Sequence, residues 1–360
     1  QNSGRGKDFR RAMTTHTLLK LRFAAVCVAV VAVLSAVCFA PNIVNAAEKA
    51  ETSARSAIVV ERRSGRVLYE KNPDERLPNA STTKIATALA VVRNVPDVDR
   101  VVNVVPEACG VEGSSVYLQP GEKLTVRDLL YGLLLRSGND CAVQLALITG
   151  GTVEAFMQKV NDLVLSLGCR NTHFVTPHGL HDEEHYTSAR DLATIARTAL
   201  DEPVLAEIAS SKSYRVVTDG STRVFVNKNK LLRMLDGANG VKTGYTRKAG
   251  RCFVGSATRN GMGVVAVVLD CGPMFEDVAA MCNKAFAEYT LVKAVANRQI
   301  CGSAVVNGNR TFYCCEQAFA YPMRSGETLT TEINLAGEQK YIVVKLNGKE
   351  IACIGLTKIK

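Results

Sequence analysis

The sequence predicts an α/β chain of the α+β type, in which a mixed domain is followed by a small all-β domain. The length of 360 residues predicts about two domains, at roughly 150 residues each. Helical periodicity fills the middle of the chain between strand-like segments, and β-forming residues dominate after about residue 296. With 47% hydrophobic and 22% charged residues the composition is globular, which excludes a mainly disordered chain.

Residues 1–46 have the layout of an export signal. An uncharged apolar run, 23–39, follows a cluster of cations, which is typical of a secretory signal peptide. Val44-Asn45-Ala46 offers small residues for cleavage after Ala46, and Ala47 is an equally acceptable last residue. The alternative is an uncleaved anchor, since the run is near the shortest that crosses roughly 30 Å of hydrocarbon. Either interpretation places the rest of the chain outside the cytoplasm.

The positive charge of the chain does not indicate a nucleic-acid partner. The formal net charge is +10, but residues 1–46 hold six of the cations and one acidic residue. The remainder therefore has 38 cations against 33 acidic residues. A surplus this small is too weak to attract a nucleic acid.

Ten of the twelve cysteines follow residue 46. Cysteines outside the cytoplasm usually pair, but the sequence leaves their pairing open. Cys141, Cys252 and Cys271 lie in apolar or small-residue stretches, where a free thiol is simply a small buried group. No C-x-x-C occurs, so we expect no structural zinc site of the usual spacing.

The first elements are a hairpin and a series of helices. Segments 57–60 and 66–69 are short, apolar and separated by Ser64-Gly65, which predicts two paired strands. Ser81 opens the first helix, whose apolar residues recur at spacings of four and three. Further helices are predicted over 125–135, 140–148, 153–167 and 188–199.

After Pro203 the pattern returns to strands. These are predicted at 214–217, 224–227, 251–258 and 263–269. Asn260-Gly261 joins the last two strands, and Asn-Gly is the strongest short hairpin signal. A helix over 275–289 precedes the β-rich tail, in which Asn347-Gly348 closes another hairpin.

Ser81 and Lys84 place a hydroxyl and an amine three residues apart at the start of a helix. Residues i and i+3 share a helix face, so the two groups can touch. A lysine whose pKa is pushed below about 10.4 can take the proton from a serine hydroxyl and so make it a nucleophile. The N–H groups at the start of the helix suit a developing oxyanion. Alone, the pattern equally fits a capping serine beside a solvated lysine.

Two further short motifs change that balance. Ser137-Gly138-Asn139 lies between two helical stretches, where a turn presents a hydroxyl and a carboxamide to one cleft. Lys242-Thr243-Gly244 lies just ahead of a strand pattern, and Gly244 leaves room for a ligand along the sheet edge. Taken alone, Ser137-Gly138-Asn139 fits an ordinary helix cap equally well, and Lys242-Thr243-Gly244 fits an ordinary strand start. In this order and behind a signal peptide, the three motifs correspond to the motif set of penicillin-binding proteins and serine β-lactamases.

Longer stretches around these motifs resemble the low-molecular-weight penicillin-binding proteins that are serine-type D-alanyl-D-alanine carboxypeptidases. The stretches are LPNASTTKIATALA, LLLRSGNDCAVQLA, TPHGLHDEEHYTSARDLA and GVKTGYT, and the likeness covers about residues 52–290. The resemblance implies a penicillin-binding-protein/β-lactamase-like domain over 47–295, with an antiparallel sheet of five strands flanked by helices. A small β-rich domain over 296–360 resembles the C-terminal domain of the same proteins.

The resemblance also implies what the chain does and where. It implies removal of the terminal D-alanine from peptidoglycan stem pentapeptides through an acyl-enzyme on Ser81. β-Lactam antibiotics would be covalent inhibitors, and neither a cofactor nor a metal is expected. The place of action would be extracytoplasmic, at the outer face of the membrane or in the cell wall.

Carried over position by position, the resemblance implies a role for each residue of the first two motifs. Ser81 resembles the acylated nucleophile, and Lys84 resembles its general base. Ser137 resembles the proton relay toward the leaving amine. Asn139 resembles the amide that holds a substrate carbonyl.

The third motif resembles a substrate-binding strand. Lys242 corresponds to the cation that lowers the pKa of Lys84 and attracts the terminal carboxylate, and Thr243 donates a hydrogen bond to that carboxylate. Gly244 completes the motif. The main-chain N–H groups of Ser81 and Tyr245 correspond to the oxyanion hole.

Two features depart from the family pattern. Members often carry an arginine for the substrate carboxylate in the stretch aligned with 271–278, and this sequence has none there. Capture then rests on Lys242 and Thr243, with Lys228 as a further candidate. Members also commonly end in an amphipathic membrane helix, whereas residues 356–360 still have a strand pattern. We therefore expect a released form, or at most a loose association with the membrane.

A zinc protease is one competing interpretation. His181-Asp182-Glu183-Glu184-His185 matches H-x-x-E-H, a spacing that needs a helix to bring both imidazoles to one metal. Pro177 and Gly179 immediately before it predict a loop, so we do not expect a metal site.

A serine β-lactamase and a non-catalytic wall-binding protein also compete with a carboxypeptidase. Class A β-lactamases deacylate with a glutamate and carry Asp in the middle of the second motif. Here the second motif is S-G-N, and no Glu-x-x-Leu-Asn follows Asn139. The complete Ser, Lys, Ser, Asn, Lys set argues against a protein without turnover. The sequence leaves open whether water or a second peptide accepts the acyl group.

Overall fold

A computed structural model describes residues 52–218, 221–306 and 308–359. The predicted export signal and its alternative as an anchor lie outside these described residues. Within the described part of the chain, every helix is too short or too polar to cross a bilayer.

The structure alternates strands and helices up to Glu288, and every described helix or strand after that residue is a strand. In chain order the described strands are β1 (Ser56–Glu61), β2 (Val67–Lys71), β3 (Val101–Asn103), β4 (Lys123–Thr125), β5 (Ser213–Thr218), β6 (Ser221–Val226), β7 (Ala238–Thr246), β8 (Gly250–Arg259), β9 (Met262–Leu269), β10 (Tyr289–Val295), β11 (Ile300–Val306), β12 (Asn309–Cys314), β13 (Phe319–Arg324), β14 (Leu329–Asn334), β15 (Tyr341–Leu346), β16 (Lys349–Gly355) and β17 (Thr357–Lys358). The described α-helices are Lys84–Asn94, Val126–Tyr131, Asn139–Gly150, Val153–Ser166, Ala189–Asp201, Pro203–Ser210, Leu231–Met234 and Met274–Glu288. A π-helical turn, Gly132–Arg136, continues the second of these helices.

The central sheet has five strands in the order β2-β1-β9-β8-β7, and every neighbouring pair is antiparallel. This confirms the predicted fold class. β9 lies in the middle of the sheet and is buried along its whole length, which explains its uninterrupted apolar sequence MGVVAVVL. β7 forms one edge, so one side of that strand is open to a partner or a ligand.

Alternation along the strands divides the core between the two faces of the sheet. Ile58 and Val60 of β1 belong to the larger apolar cluster, which includes the helices Lys84–Asn94 and Ala189–Asp201. Their neighbours Ala57 and Val59 belong to the cluster under the helix Met274–Glu288. Because successive side chains of a strand point to opposite faces, a single strand joins both halves of the core.

The Asn-Gly turns lie where the sequence predicts them. Asn260 and Gly261 have positive φ angles of 49° and 79° between the paired residues Arg259 and Met262. Asn347-Gly348 connects β15 to β16 in the same way, with φ angles of 49° and 82°. A two-residue turn with both φ angles positive matches the twist of the flanking strands, and Asn and Gly tolerate it best.

Three local predictions need correction. The segment after Pro203 first forms the helix Pro203–Ser210, because proline suits the first turn of a helix, where its missing N–H has no partner. Ser81 lies in a 3-10 turn, Ala80–Thr83, and the α-helix begins only at Lys84. Lys242-Thr243-Gly244 lies within β7 rather than ahead of a strand.

The C-terminal strands form three small antiparallel sheets. β10 pairs with β13, β12 pairs with β11 and β17, and β15 pairs with β14 and β16. Their shared apolar cluster includes Val295, Ile342 and Val344. The strand-rich segment begins at Tyr289, directly after the helix Met274–Glu288. The division into domains at residue 296 stays a prediction.

Arg66 connects the hairpin of β1 and β2 to the C-terminal strands. Its guanidinium forms a bidentate ion pair with Glu327, and both side chains are largely shielded from water, at 13% and 17% exposure. The same cation lies over the rings of Tyr289 and Tyr321, at 5.1 and 5.2 Å from the ring centroids. The Arg66 guanidinium holds the pKa of Glu327 below its usual value. The stabilisation is therefore present at neutral pH and is lost as the pH falls through that lowered pKa.

We expect Glu327→Gln to lower the free energy of unfolding by about 1–3 kcal/mol, because it removes the charge from a shielded, bidentate ion pair. Urea denaturation followed by circular dichroism measures the change. Glu332→Gln is the matched control, since Glu332 pairs with Lys345 but is 63% exposed. Its effect should stay within about 0.5 kcal/mol. Equal losses in the two variants would contradict a special role for the Arg66 contact.

Candidate active site

The turn that carries Ser81 is held in place by its own side chains. The hydroxyls of Thr82 and Thr83 donate to the carbonyls of Asn79 and Ala80, at 2.7 and 2.8 Å. The Asn79 amide donates to both hydroxyls at 3.0 Å. Ala80 has a φ angle of 49°, a strained conformation for a residue with a side chain. This local network presents Ser81 at the entrance of the helix Lys84–Asn94.

Lys84 connects three segments of the site through one buried amine. Its side chain is fully buried, and Nζ lies 2.9 Å from Ser81 Oγ and 2.7 Å from Asn139 Oδ1. Nζ also lies 2.8 Å from the main-chain oxygen of His178. The amine therefore touches the one hydroxyl that it would have to deprotonate.

The surroundings of Lys84 disfavour its charged form. Burial lowers the pKa of Lys84 well below its usual value, and the nearby ammonium groups of Lys242 and Lys228 lower it further. Burial, followed by the charge of Lys228, lowers the pKa of Lys242 to about 7. The lower the pKa of a lysine, the larger the neutral fraction of its amine, which is the form that can act as a base.

The second motif forms the start of the helix Asn139–Gly150. Ser137 is buried and has a left-handed φ angle of 66°, which reverses the chain between the π-helical turn and this helix. The Asn139 amide donates to the carbonyl of Glu112, and its main-chain N–H donates to the carbonyl of Ser114 at 2.7 Å. The side chain of Asn139 is thereby aimed at Lys84.

Asp140 fixes the neighbouring wall of the cleft, which is the loop 112–118. Its buried carboxylate accepts hydrogen bonds from the hydroxyl of Ser115 at 2.6 Å and from the N–H groups of Val116 and Leu118, at 3.0 and 3.2 Å. The N–H of Cys141 is a fourth donor, at 2.9 Å, so the buried carboxylate is well supplied with hydrogen bonds. Asp140 is not among the predicted site residues, although its place directly after Asn139 is a usable signal.

The third motif lies on the open edge of the sheet, against the turn of Ser81. Lys242 is buried, and its Nζ donates to the carbonyl of Thr243 at 2.8 Å. A Cβ atom at Gly244 would come within 2.9 Å of Asn79 O and 3.1 Å of Ser81 N. Only glycine lets β7 approach the nucleophile so closely. Tyr245 follows and is 65% exposed.

A fourth segment, 176–180, completes the site and is not predicted by the motifs. The carbonyl of His178 faces both Lys84 Nζ and Ser81 Oγ, the latter at 3.4 Å. Burial and the charge of Lys84 lower the pKa of the His178 imidazole to about 4, so it is neutral at pH 7. Gly179 has a φ angle of 82°, and a Cβ atom there would lie 2.0 Å from Ala80 O. The available signal is the Pro-His-Gly sequence, but a main-chain acceptor has no side-chain signature.

The H-x-x-E-H segment has the loop conformation that the sequence predicts, and its two histidines have separate partners. His181 Nε2 contacts the carboxylate of Glu183 at 3.1 Å. His185 is buried, accepts an N–H bond from Val175 at Nδ1, and contacts Thr83 Oγ1 at 2.8 Å through Nε2. Burial lowers the pKa of His185 to about 3. His185 thus supports the turn of Ser81 as a neutral side chain.

Lys228 lies close enough to the other two lysines to act on their charge. Its Nζ lies 3.3 Å from Ser114 Oγ, on the loop that Asn139 and Asp140 hold. Its charge lowers the pKa of both Lys84 and Lys242. Residues 271–278 include the start of the helix Met274–Glu288, and none of them is the arginine that family members often carry there. The described cleft therefore gathers three lysines from three different segments.

Comparison with known proteins identifies the family of the chain. Residues 43–272 match the family model described as D-alanyl-D-alanine carboxypeptidase. The chain is 37% identical over 245 residues to the D-alanyl-D-alanine carboxypeptidase DacF of Bacillus subtilis, covering 66% of this chain and 63% of that protein. It is also 37% identical over 234 residues to DacB2 of Mycobacterium tuberculosis, covering 63% of this chain and 80% of that protein.

Solved structures show the same fold. Penicillin binding protein 5 from Haemophilus influenzae has a TM-score of 0.72 at 27% identity, covering 86% of this chain and 97% of that chain. The DD-transpeptidase of Streptomyces K15 has a TM-score of 0.63 at 33% identity, covering 66% and 98%. The fold is that of the penicillin-binding proteins. Within that class, the chain belongs to the D-alanyl-D-alanine carboxypeptidase family, peptidase family S11.

We expect Gly179→Ala to destabilise the site strongly, because its Cβ atom would collide with main-chain atoms of Ala80. The loss of unfolding free energy should be about 3 kcal/mol or more, since both overpacking and left-handed strain contribute. Gly110→Ala is the matched control, because Gly110 has a similar φ angle of 72° but no atom within 4 Å of the added Cβ. That variant should lose only about 1–2 kcal/mol. Thermal unfolding of both variants measures the difference, and equal losses would contradict the close contact.

Proposed function

We propose that this chain is a serine-type D-alanyl-D-alanine carboxypeptidase that removes the terminal D-alanine from peptidoglycan stem pentapeptides. The observation that carries the proposal is the buried, pKa-lowered amine of Lys84 at 2.9 Å from Ser81 Oγ, in a chain of this family. A hydroxyl in contact with a buried amine supplies the two groups that covalent catalysis by serine requires.

In the proposed reaction the neutral amine of Lys84 takes the proton of Ser81 Oγ as this oxygen attacks the carbonyl carbon between the two D-alanines. The N–H groups of Ser81 and Tyr245 stabilise the resulting oxyanion. Ser137 passes a proton to the amine of the leaving D-alanine. The ester on Ser81 is then hydrolysed by water, with the same residues acting in reverse order.

The substrate carboxylate is proposed to bind at the lysine cluster of the cleft. Lys242 and the hydroxyl of Thr243 supply positive charge and a donor on β7, and Lys228 adds positive charge beside the loop 112–118. Asn139 holds a substrate carbonyl, and Gly244 leaves the edge strand free to accompany the peptide. The lowered pKa of Lys242, about 7, fits a cation that regains its full charge when an anion binds beside it.

The proposed setting is extracytoplasmic, and the proposed partners follow from the family. The stem peptide of peptidoglycan is the substrate, and β-lactam antibiotics acylate Ser81 as covalent inhibitors. The peptidase domain spans 47–295 and the β-rich domain spans 296–360, with the Arg66 contact between them.

Transfer of the acyl group to a second peptide is the second candidate, because one similar structure is described as a DD-transpeptidase. A β-lactamase is disfavoured by the S-G-N motif. A wall-binding role without turnover is disfavoured by the contact between Ser81 and Lys84. Incubation of the chain with a pentapeptide separates these outcomes, since hydrolysis releases D-alanine without forming a cross-linked dimer.

We expect Ser81→Ala to abolish both D-alanine release and covalent labelling by a fluorescent penicillin, a loss of at least about a thousandfold, since no other hydroxyl touches Lys84 Nζ in the described residues. Gel fluorescence and intact-mass spectrometry measure the labelling. Ser166→Ala, which changes an exposed serine at the end of a helix, is the control and should label normally. Retained labelling of the Ser81→Ala variant would refute the assignment of the nucleophile.

We expect Lys228→Met to move the acid limb of the pH–rate profile to higher pH. Lys228 lowers the pKa of Lys84, so its removal raises that pKa, and a higher pH is then needed to obtain the neutral base. At neutral pH the acylation rate should fall about two- to tenfold, as for removal of a partly solvated charge. Stopped-flow measurement of the acylation rate between about pH 5 and about pH 9 gives the profile.

Lys230→Met removes the same charge two residues away and is the control for the pH profile. Lys230 is exposed and lies outside the proposed machinery. Its profile should coincide with that of the unmodified chain. An identical shift in both lysine variants would mean that net charge alone, and not the position of Lys228, sets the titration of the base.

A further inference from the structure

Two cysteines of the C-terminal strands lie next to each other across an irregular strand pair. β11 and β12 are antiparallel, with Ile300 opposite Cys314 and Gly302 opposite Tyr313. Cys301 is therefore the extra residue of a β-bulge. One position further along, the N–H of Cys315 donates to the carbonyl of Gln299 at 3.1 Å. Cys301 and Cys315 thus occupy diagonal positions on one face of the strand pair formed by β11 and β12.

The two thiols share the same buried surroundings. Cys301 and Cys315 are 8% and 0% exposed and belong to one small apolar cluster with Val295, Ile342 and Val344. The thiol of Cys301 contacts the carbonyl of Gln299 at 3.1 Å, which is the same oxygen that accepts the N–H of Cys315. Burial raises the pKa of the Cys301 thiol, and the neighbouring Cys315 thiol raises it further.

We propose that Cys301 and Cys315, which are thiols in this structure, form an intramolecular disulfide once the chain is outside the cytoplasm. The proposal goes beyond the peptidase function and concerns the C-terminal strands alone. A disulfide requires Cα atoms about 4.4–6.8 Å apart and Cβ atoms that face each other. Diagonal neighbours of a regular strand pair lie about 7–8 Å apart, and the bulge at Cys301 bends and twists the strand away from that regular spacing. The contact of the Cys301 thiol with the carbonyl that accepts the Cys315 N–H places the two residues side by side.

The bond forms by thiol–disulfide exchange with an oxidised disulfide, such as glutathione disulfide or an oxidoreductase. One protein thiolate attacks a sulfur of the oxidant and releases one reduced thiol. The second protein thiolate then attacks the mixed disulfide and releases the other reduced thiol. The two electrons and two protons of Cys301 and Cys315 thus pass to the oxidant. The raised pKa of Cys301 leaves little thiolate at neutral pH, so the exchange becomes faster as the pH rises.

Neighbouring cysteines show why this pair is selected. Cys314 is adjacent to Cys315 in sequence but points away, toward the hydroxyl of Thr357 at 3.8 Å. Cys252 and Cys271 are also close to each other, but they belong to the clusters on opposite faces of the central sheet. The Cys252 thiol contacts the carbonyl of Pro78 and the Cys271 thiol contacts the carboxylate of Asp277, so the two thiols have different surroundings. They form an internal control within the same molecule.

The test uses the full chain, oxidised with glutathione disulfide, alkylated under denaturing conditions and digested with trypsin without reduction. Trypsin cleaves after Arg298, Arg310 and Arg324, which places Cys301 on the peptide 299–310 and Cys315 on 311–324. We expect a linked peptide pair, two hydrogen atoms lighter than the sum of its parts, that disappears on reduction. Cys252 and Cys271 should be recovered alkylated and unlinked.

Two variants identify the partner on the second peptide, which also contains Cys314. Cys314→Ser should keep the linked pair, and Cys315→Ser should lose it while the chain still labels with penicillin. Alkylation of both Cys301 and Cys315 after oxidation of the folded chain would overturn the proposal. So would a link that survives in Cys315→Ser, because Cys301 would then bond to Cys314. Loss of penicillin labelling in the unmodified chain would instead count against the proposed function and leave the disulfide result standing.

Discussion

The contact between the buried amine of Lys84 and the hydroxyl of Ser81 is the interaction on which the other features of the cleft depend. An amine without exposure to water favours its neutral form, and two more lysines nearby strengthen that preference. A neutral amine in an apolar interior still needs polar partners, and Ser81, Asn139 and the carbonyl of His178 provide them. The same three contacts that make the burial tolerable also bring together the nucleophile and two walls of the cleft. Structure and chemistry therefore impose the same geometry on Lys84.

Close approach of main chains explains why glycines recur around this contact. The edge strand β7 reaches the turn of Ser81 at Gly244, and the segment 176–180 reaches it at Gly179. Both positions face main-chain atoms that cannot move aside as a flexible side chain can. The turn itself is stiffened from within by Thr82 and Thr83 and from outside by His185. Ser81 is thus enclosed from three directions while its hydroxyl remains in contact with the base.

The class of fold and the three motifs are predictable from the sequence because both depend on short-range patterns. Alternating and helical spacings predict most strands and helices, and the Asn-Gly turns lie where they are predicted. The role of His178 is not predictable in this way, since a carbonyl oxygen is common to every residue. The helix after Pro203 is not predicted, because a proline indicates a break in the chain pattern as readily as a first helical turn. The pairing of cysteines depends on which face of a sheet each thiol occupies, and that is fixed by register between distant segments.

The bonds of Asp140 to the loop 112–118 have a consequence for how a ligand meets this cleft. Because Ser115, Val116 and Leu118 are tied to the start of the helix Asn139–Gly150, that wall is ordered during folding rather than during encounter. The conformational entropy of the loop is then already lost in the free protein, and binding does not have to remove it again. The conformational entropy lost on binding a flexible peptide is then that of the peptide and not that of the wall. A preorganised cleft of this kind favours rapid capture over a slow closing step.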